Sequence, residues 1–237
     1  MSVPFIDFHT HILPGIDSGC VSPEQCARQL SFLRDAGAAA AVATSLYDPA
    51  KCRPAVYLER QRKAVEMLLR QHRPGDVTVY LGTELLLCPE IDRLAELDAL
   101  TVFGTDIITI RMPPAPYEDW VPDVIFGIRD SGFRVVVTGV ERIPAAAAES
   151  LFAMEIPGVI DLRGFRSLNP SRLLRYRKWI DEGKIVAVGT GLDNEGERAF
   201  KNVKLTGSIL GEKRLSAVAS SSARLLSGAV PVERIRY

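Results

Sequence analysis

The sequence predicts an α/β fold built as a distorted (β/α)7 barrel, on three observations. Seven short Val- and Ile-rich runs recur along the 237 residues, at 4–8, 38–45, 77–81, 106–110, 133–138, 158–162 and 185–189. Their apolar residues are consecutive rather than alternating, as in parallel strands buried on both faces. Helical signals fall between them with no break in composition, the order of a sheet wrapped by helices. An open doubly wound sheet has the same order. No Gly-x-Gly-x-x-Gly follows the first run, however, which weakens the dinucleotide-binding form of that alternative. A chain of this length can bury roughly 70–75% of its surface without staples, so one domain over residues 1–237 is expected.

Each helix carries its own start and stop. Ser22-Pro23-Glu24-Gln25 supplies an N-cap serine, a proline at the first helical position and a capping-box glutamine, and Gly37 ends the element. A second helix covers about 55–72, with Leu58, Val65, Leu68 and Leu69 as its apolar stripe and Pro74-Gly75 as its stop. Asn169-Pro170 opens a third that runs to Gly183, and a last one covers 212–226 before Gly228.

Composition narrows the function classes. Hydrophobic residues make up 47% and charged ones 24%, which excludes a disordered or fibrous chain. Twenty-nine basic residues balance 29 acidic ones, so no global attraction draws the chain to nucleic acid or anionic lipid. No apolar run approaches the roughly 20 residues of a membrane span, and the N-terminus lacks a signal-peptide build. Cys20, Cys26, Cys52 and Cys88 form no Cys-x-x-Cys, which fits a reducing cytoplasm.

In parallel barrels the chemistry collects where strands end. The first strand runs into Asp7-Phe8-His9-Thr10-His11. In extended chain His9 and His11 face the same side, so both imidazoles can close on one metal ion. Only three histidines exist, and two fall here; His72, at a helix end, reads as a partner of the helix dipole. The third strand ends in Gly82-Thr83-Glu84, and the apolar Leu85-Leu86-Leu87 that follows leaves Glu84 in need of a cation or hydrogen-bond partner. His9, His11 and Glu84 together make a His-His-carboxylate metal set. Arg142 and Arg198 are read either as anion donors or as solvated surface arginines. Pro113-Pro114-Ala115-Pro116 with Tyr117 and Trp120 reads as a rigid loop packing its aromatics over the barrel mouth, or as a partner-recognition loop.

The string Asp7-Phe8-His9-Thr10-His11-Ile12-Leu13-Pro14-Gly15-Ile16-Asp17-Ser18-Gly19 resembles the opening of the PHP-fold (polymerase and histidinol phosphatase) tyrosine-protein phosphatases of bacterial capsule and exopolysaccharide loci. The likeness continues through Val42-Ala43-Thr44, Gly82-Thr83-Glu84, Glu141-Arg142, Asp193-Asn194 and Arg198, and so spans nearly the whole chain. It implies a PHP-like barrel, manganese-dependent phosphatase chemistry, a metal role for His9, His11 and Glu84, and a phosphate-binding role for Arg142 and Arg198.

The departures bear on activity. Where the family has Pro-His-His after strand two, this chain has Ser45-Leu46-Tyr47. Ser18 replaces an aspartate, Leu86 an arginine, and Gly139 the histidine of His-Pro-Glu-Arg. The family's Ser-Asp-Ala-His reads Thr190-Gly191-Leu192-Asp193, with glycine at the aspartate and Asp193 at the histidine. The resemblance thus leaves His9, His11 and Glu84, with Asp193 as a fourth ligand, to hold one manganese or other divalent ion or none. A multinuclear site that clamps both attacking and leaving oxygens is not expected. The favoured expectation is a phosphatase-like protein binding a phosphorylated ligand or phosphotyrosine protein with weak or no hydrolysis. An active metal-dependent phosphatase and a non-catalytic scaffold for a polysaccharide-synthesis kinase stand as alternatives.

Overall fold

Seven parallel strands close on themselves in chain order: β1 (Phe5–Thr10), β2 (Ala38–Tyr47), β3 (Thr78–Leu86), β4 (Ile107–Arg111), β5 (Arg134–Thr138), β6 (Gly158–Asp161) and β7 (Ile185–Gly189). The computed structural model describes residues 4–166, 169–192 and 196–236, the side chains of 196–200 apart. Asp7 against Val188 joins β1 to β7 and closes the ring. One buried cluster draws Phe8, Val42, Ile107, Val136, Val159 and Ala187 from six different strands, which only a sheet curled round on itself can bring together. The seven expected strands are all present. β1, β2 and β3 run two to five residues further than the apolar pattern, because Thr10, Tyr47 and Glu84 keep pairing after the aliphatic run has ended.

The outer helices are α1 (Pro23–Asp35), α2 (Pro54–Gln71), α3 (Trp120–Asp130), α4 (Ala145–Ala153), α5 (Pro170–Asp181) and α6 (Gly196–Leu225). The Ser22 hydroxyl accepts from the Gln25 N–H, the cap the sequence predicts, worth about 1 kcal/mol. Asn169 does the same for α5 through Arg172 N–H. α6 breaks at Gly211, whose φ of 74° lies in the left-handed region, so the helix expected from 212 is its second half.

Two readings shift. The buried face of α2 is Tyr57, Gln61, Ala64, Val65 and Leu68; Leu58 and Leu69 lie at its margin. Polar groups set that rotation. Tyr57 donates to Ser45 O at 2.9 Å, and the Gln61 amide donates to Gly82 O and Thr83 Oγ1, both at 3.2 Å. α3 and α4 were not anticipated. Trp120 opens α3 rather than lying within a loop, while Tyr117 and Trp120 are half-buried against the main core. Among the described residues no helix is long and apolar enough to cross a membrane.

Candidate metal and oxyanion site

The carboxyl ends of the strands carry a ring of buried polar side chains: His9 from β1, Glu84 from β3, Thr138 from β5, Asp161 from β6 and Thr190 just after β7. His9 and His11 lie two residues apart on the first strand and its exit, and their rings meet edge to face with centroids 5.0 Å apart. One ligand-type atom from each of His9, His11 and Glu84 falls within 4.8 Å of the others. The three residues singled out in the sequence therefore converge.

Each histidine is oriented by a carboxylate. His9 Nδ1 lies 2.7 Å from Asp161 Oδ1 and its Nε2 3.0 Å from Glu84 Oε1. His11 Nδ1 lies 2.7 Å from Asp17 Oδ2, an oxygen that also accepts from Leu46 N–H at 3.0 Å. A carboxylate on one imidazole nitrogen fixes the ring so that the other nitrogen faces an ion. Beneath His9, Asp7 accepts from His9 N–H and from the backbone and hydroxyl of Thr190, which ties β1 to the β7 exit. Gly19 is required here, since a Cβ would stand 2.2 Å from His11 Cβ.

A divalent ion fits this donor set. His9 Nε2 is wholly buried and lacks a hydrogen bond of good geometry, while Glu84 Oε2, equally buried, has the Arg111 guanidinium 2.5 Å away. Two donors at about 2.1 Å from a shared ion stand roughly 3 Å apart, close to the His9–Glu84 approach. A buried polar atom such as His9 Nε2 is costly unless a hydrogen-bond partner or a cation takes it up.

The electrostatics are those of a buried charge cluster. Burial opposes the His9 imidazolium, but Asp161 and Glu84 outweigh it and push its pKa up to about 10. Burial raises the Asp161 carboxyl, yet His9, Arg142 and Arg163 bring it down to about 2. Glu84 is likewise held well below the carboxylate range, burial being overcome by His9 and Arg111. Burial pushes Asp7 up to about 7. It does the same to Glu141, with the nearby Asp161 charge adding to the shift, so that its pKa is also about 7.

Arg142, held on a short 3-10 turn Val140–Arg142, is exposed, with its guanidinium reaching over the site. Its Nη2 lies 3.9 Å from Glu84 Oε1 and 3.8 Å from Asp161 Oδ2. Asp193 and the side chain of Arg198 lie outside the described residues. Sequence reasoning missed Asp161, Arg111 and Arg163. Asp161 closes β6, Arg111 closes β4, and Arg163 follows on the 3-10 turn Leu162–Arg166. The strand-end rule that found His9 and Glu84 points to all three when applied to β4 and β6. His72 also gains definite partners, its Nε2 being 3.0 Å from Val77 O and 3.3 Å from Glu233 Oε1, away from the site.

The model of the family described as "Capsular polysaccharide synthesis, CpsB/CapC" matches residues 5–156. No curated protein matches the chain. Among solved structures, one reported for YwqE from Bacillus subtilis and CpsB from Streptococcus pneumoniae, described as unique metal-dependent tyrosine phosphatases, superposes with a TM-score of 0.75 at 17% identity, covering 95% of each chain. A probable 2-pyrone-4,6-dicarboxylic acid hydrolase from Acinetobacter baumannii gives 0.53 at 12% identity, over 95% of this chain and 100% of that one. An N6-mAMP deaminase from Arabidopsis gives 0.53 at 11% identity, over 94% and 93%. At these identities the likeness is one of fold.

Proposed function

The chain belongs to the capsular polysaccharide synthesis CpsB/CapC family, and on that premise we propose a single-domain, cytoplasmic, phosphatase-like protein that binds a phosphorylated ligand or phosphotyrosine protein with weak or no hydrolysis. The observation that carries this reading is the convergence of His9, His11 and Glu84 at the barrel mouth, with Arg142 beside Glu84. The three ligand-type residues hold at most one divalent ion, manganese being the candidate, and Asp193 is proposed as its fourth ligand. Bound there, the ion supplies Lewis-acid charge to a phosphoryl oxygen. Arg142 and Arg198 supply forked N–H donors for the same group. Asp17 and Asp161 hold the two imidazoles in place.

Binding without efficient turnover follows from what one ion lacks. In-line displacement at phosphorus is fastest when both attacking and leaving oxygens are clamped by cations. The test is a phosphotyrosine peptide, measured for binding and for phosphate release with added manganese. Tight binding with little release is expected. Rapid manganese-dependent release, abolished in His9→Ala, would establish the active phosphatase instead, and absence of binding would leave the kinase scaffold.

A further inference from the structure

Three arginines meet over the two buried carboxylates of the site. Arg111 Nη2 lies 2.5 Å from Glu84 Oε2, Arg163 Nη2 3.3 Å from Asp161 Oδ2, and Arg142 Nη2 within 3.9 Å of both acids. The acids are 0% exposed, while the Arg111, Arg142 and Arg163 side chains are 29%, 42% and 32% exposed. The arrangement is layered, with an acidic floor below and a basic cap facing solvent.

The backbone makes room for that cap. A Cβ on Gly139 would stand 1.9 Å from Arg142 Nη2, and one on Gly191 would stand 2.4 Å from Arg163 Nη2. Both glycines have positive φ, 64° and 55°, so each position disfavours a side chain, and each guanidinium occupies the space a Cβ would enter. Arg111 is the register partner of Leu86 across β3 and β4, which sets its guanidinium beside Glu84 two residues earlier. Leu86, Gly139 and Gly191 are also three of the positions where the sequence departs from the pattern it resembles. At Gly139 and Gly191 a guanidinium lies alongside, and Leu86 pairs in register with Arg111.

We propose that Arg111, Arg142 and Arg163 form a built-in cationic cap that binds a tetrahedral oxyanion, the phosphoryl group of the ligand, without any metal ion. This deepens the phosphoryl-binding reading above and rests on it. The guanidiniums neutralise Glu84 and Asp161 from above, as additional cations would, and so compete with a metal ion for the charge of Glu84. Guanidinium N–H forks match the oxygens of a phosphate, and with both carboxylates 0% exposed an approaching anion meets neither of them directly.

Equilibrium dialysis of inorganic phosphate against protein stripped with chelator tests this. Metal-free protein is expected to retain phosphate, with affinity falling about 10- to 100-fold in Arg163→Gln and in Arg111→Gln, the loss of one charged donor. Urea unfolding midpoints of both variants show whether either loss reflects misfolding, and one folded variant suffices. Phosphate binding that requires manganese, or that is unchanged in a folded variant, overturns the cap while leaving the phosphoryl-ligand reading intact. No phosphate binding with or without manganese overturns both.

Discussion

His9 Nδ1 and Asp161 Oδ1 lie 2.7 Å apart with both side chains wholly buried, joining β1 to β6 across 152 residues of sequence. That contact fixes the imidazole whose other nitrogen faces Glu84. Removing one partner of a buried charged pair leaves the other uncompensated, at a cost of about 3–5 kcal/mol. Asp161→Ala is therefore expected to lower stability by that amount in urea unfolding at pH 7. A change below about 1 kcal/mol would mean that His9 is neutral and held by other contacts.

Asp17 does for His11 what Asp161 does for His9, with Gly19 and Leu46 N–H groups holding it in place. Burial alone would raise its carboxyl, but the His11 hydrogen bond and charge bring it below the ordinary value, so it is ionised at neutral pH. Asp17→Asn keeps the shape and removes the charge. Manganese affinity by titration calorimetry is expected to fall about 10- to 100-fold, the usual effect of losing such a partner.

How far the sequence reaches is visible in these two pairs. His9 and His11 were legible because two of three histidines fall two apart at a strand end, and Glu84 because it closes an apolar strand. The seven strands were legible as Val- and Ile-rich runs, buried on both faces. Asp161, Arg111 and Arg163 lie at or just after strand ends but sit in no motif that names their partners. Their roles exist only once the closed barrel sets Arg111 on β4 next to Glu84 on β3, and brings Asp161 on β6 across to His9 on β1. The rotation of α2 was hidden for a similar reason, since Gln61 is buried by its hydrogen bonds to β3 rather than by hydrophobicity.

Glu141 carries a pH signature. Its Oε2 accepts from Asp161 N–H at 2.9 Å, and burial with the Asp161 charge pushes its pKa up from 4.5 to about 7. Because the folded carboxyl binds its proton more tightly than the unfolded one, its contribution is full below pH 4.5 and is lost as pH rises through about 7. Glu141→Gln retains an acceptor for the Asp161 N–H and does not titrate. Urea unfolding from pH 4 to 8 is expected to show a flatter profile in the variant, by up to about 3 kcal/mol across the window. Parallel profiles would place the proton elsewhere.

Gly19 packs its backbone against the His11 side chain, leaving no space for a methyl group. Gly19→Ala is expected to destabilise by about 1–3 kcal/mol, as overpacking does, and to weaken manganese binding by displacing the imidazole. Thermal unfolding and metal titration of the same sample check both effects together.

The most direct measurement is metal content by inductively coupled plasma mass spectrometry, on protein purified without chelator and dialysed against manganese. No more than one ion per chain is expected, with any bound ion lost in His9→Ala, because His9, His11 and Glu84 converge on one position while Arg142 and Arg163 pair with the adjoining carboxylates. Two or three ions per chain would contradict a reduced site and return the protein to multinuclear phosphatase chemistry.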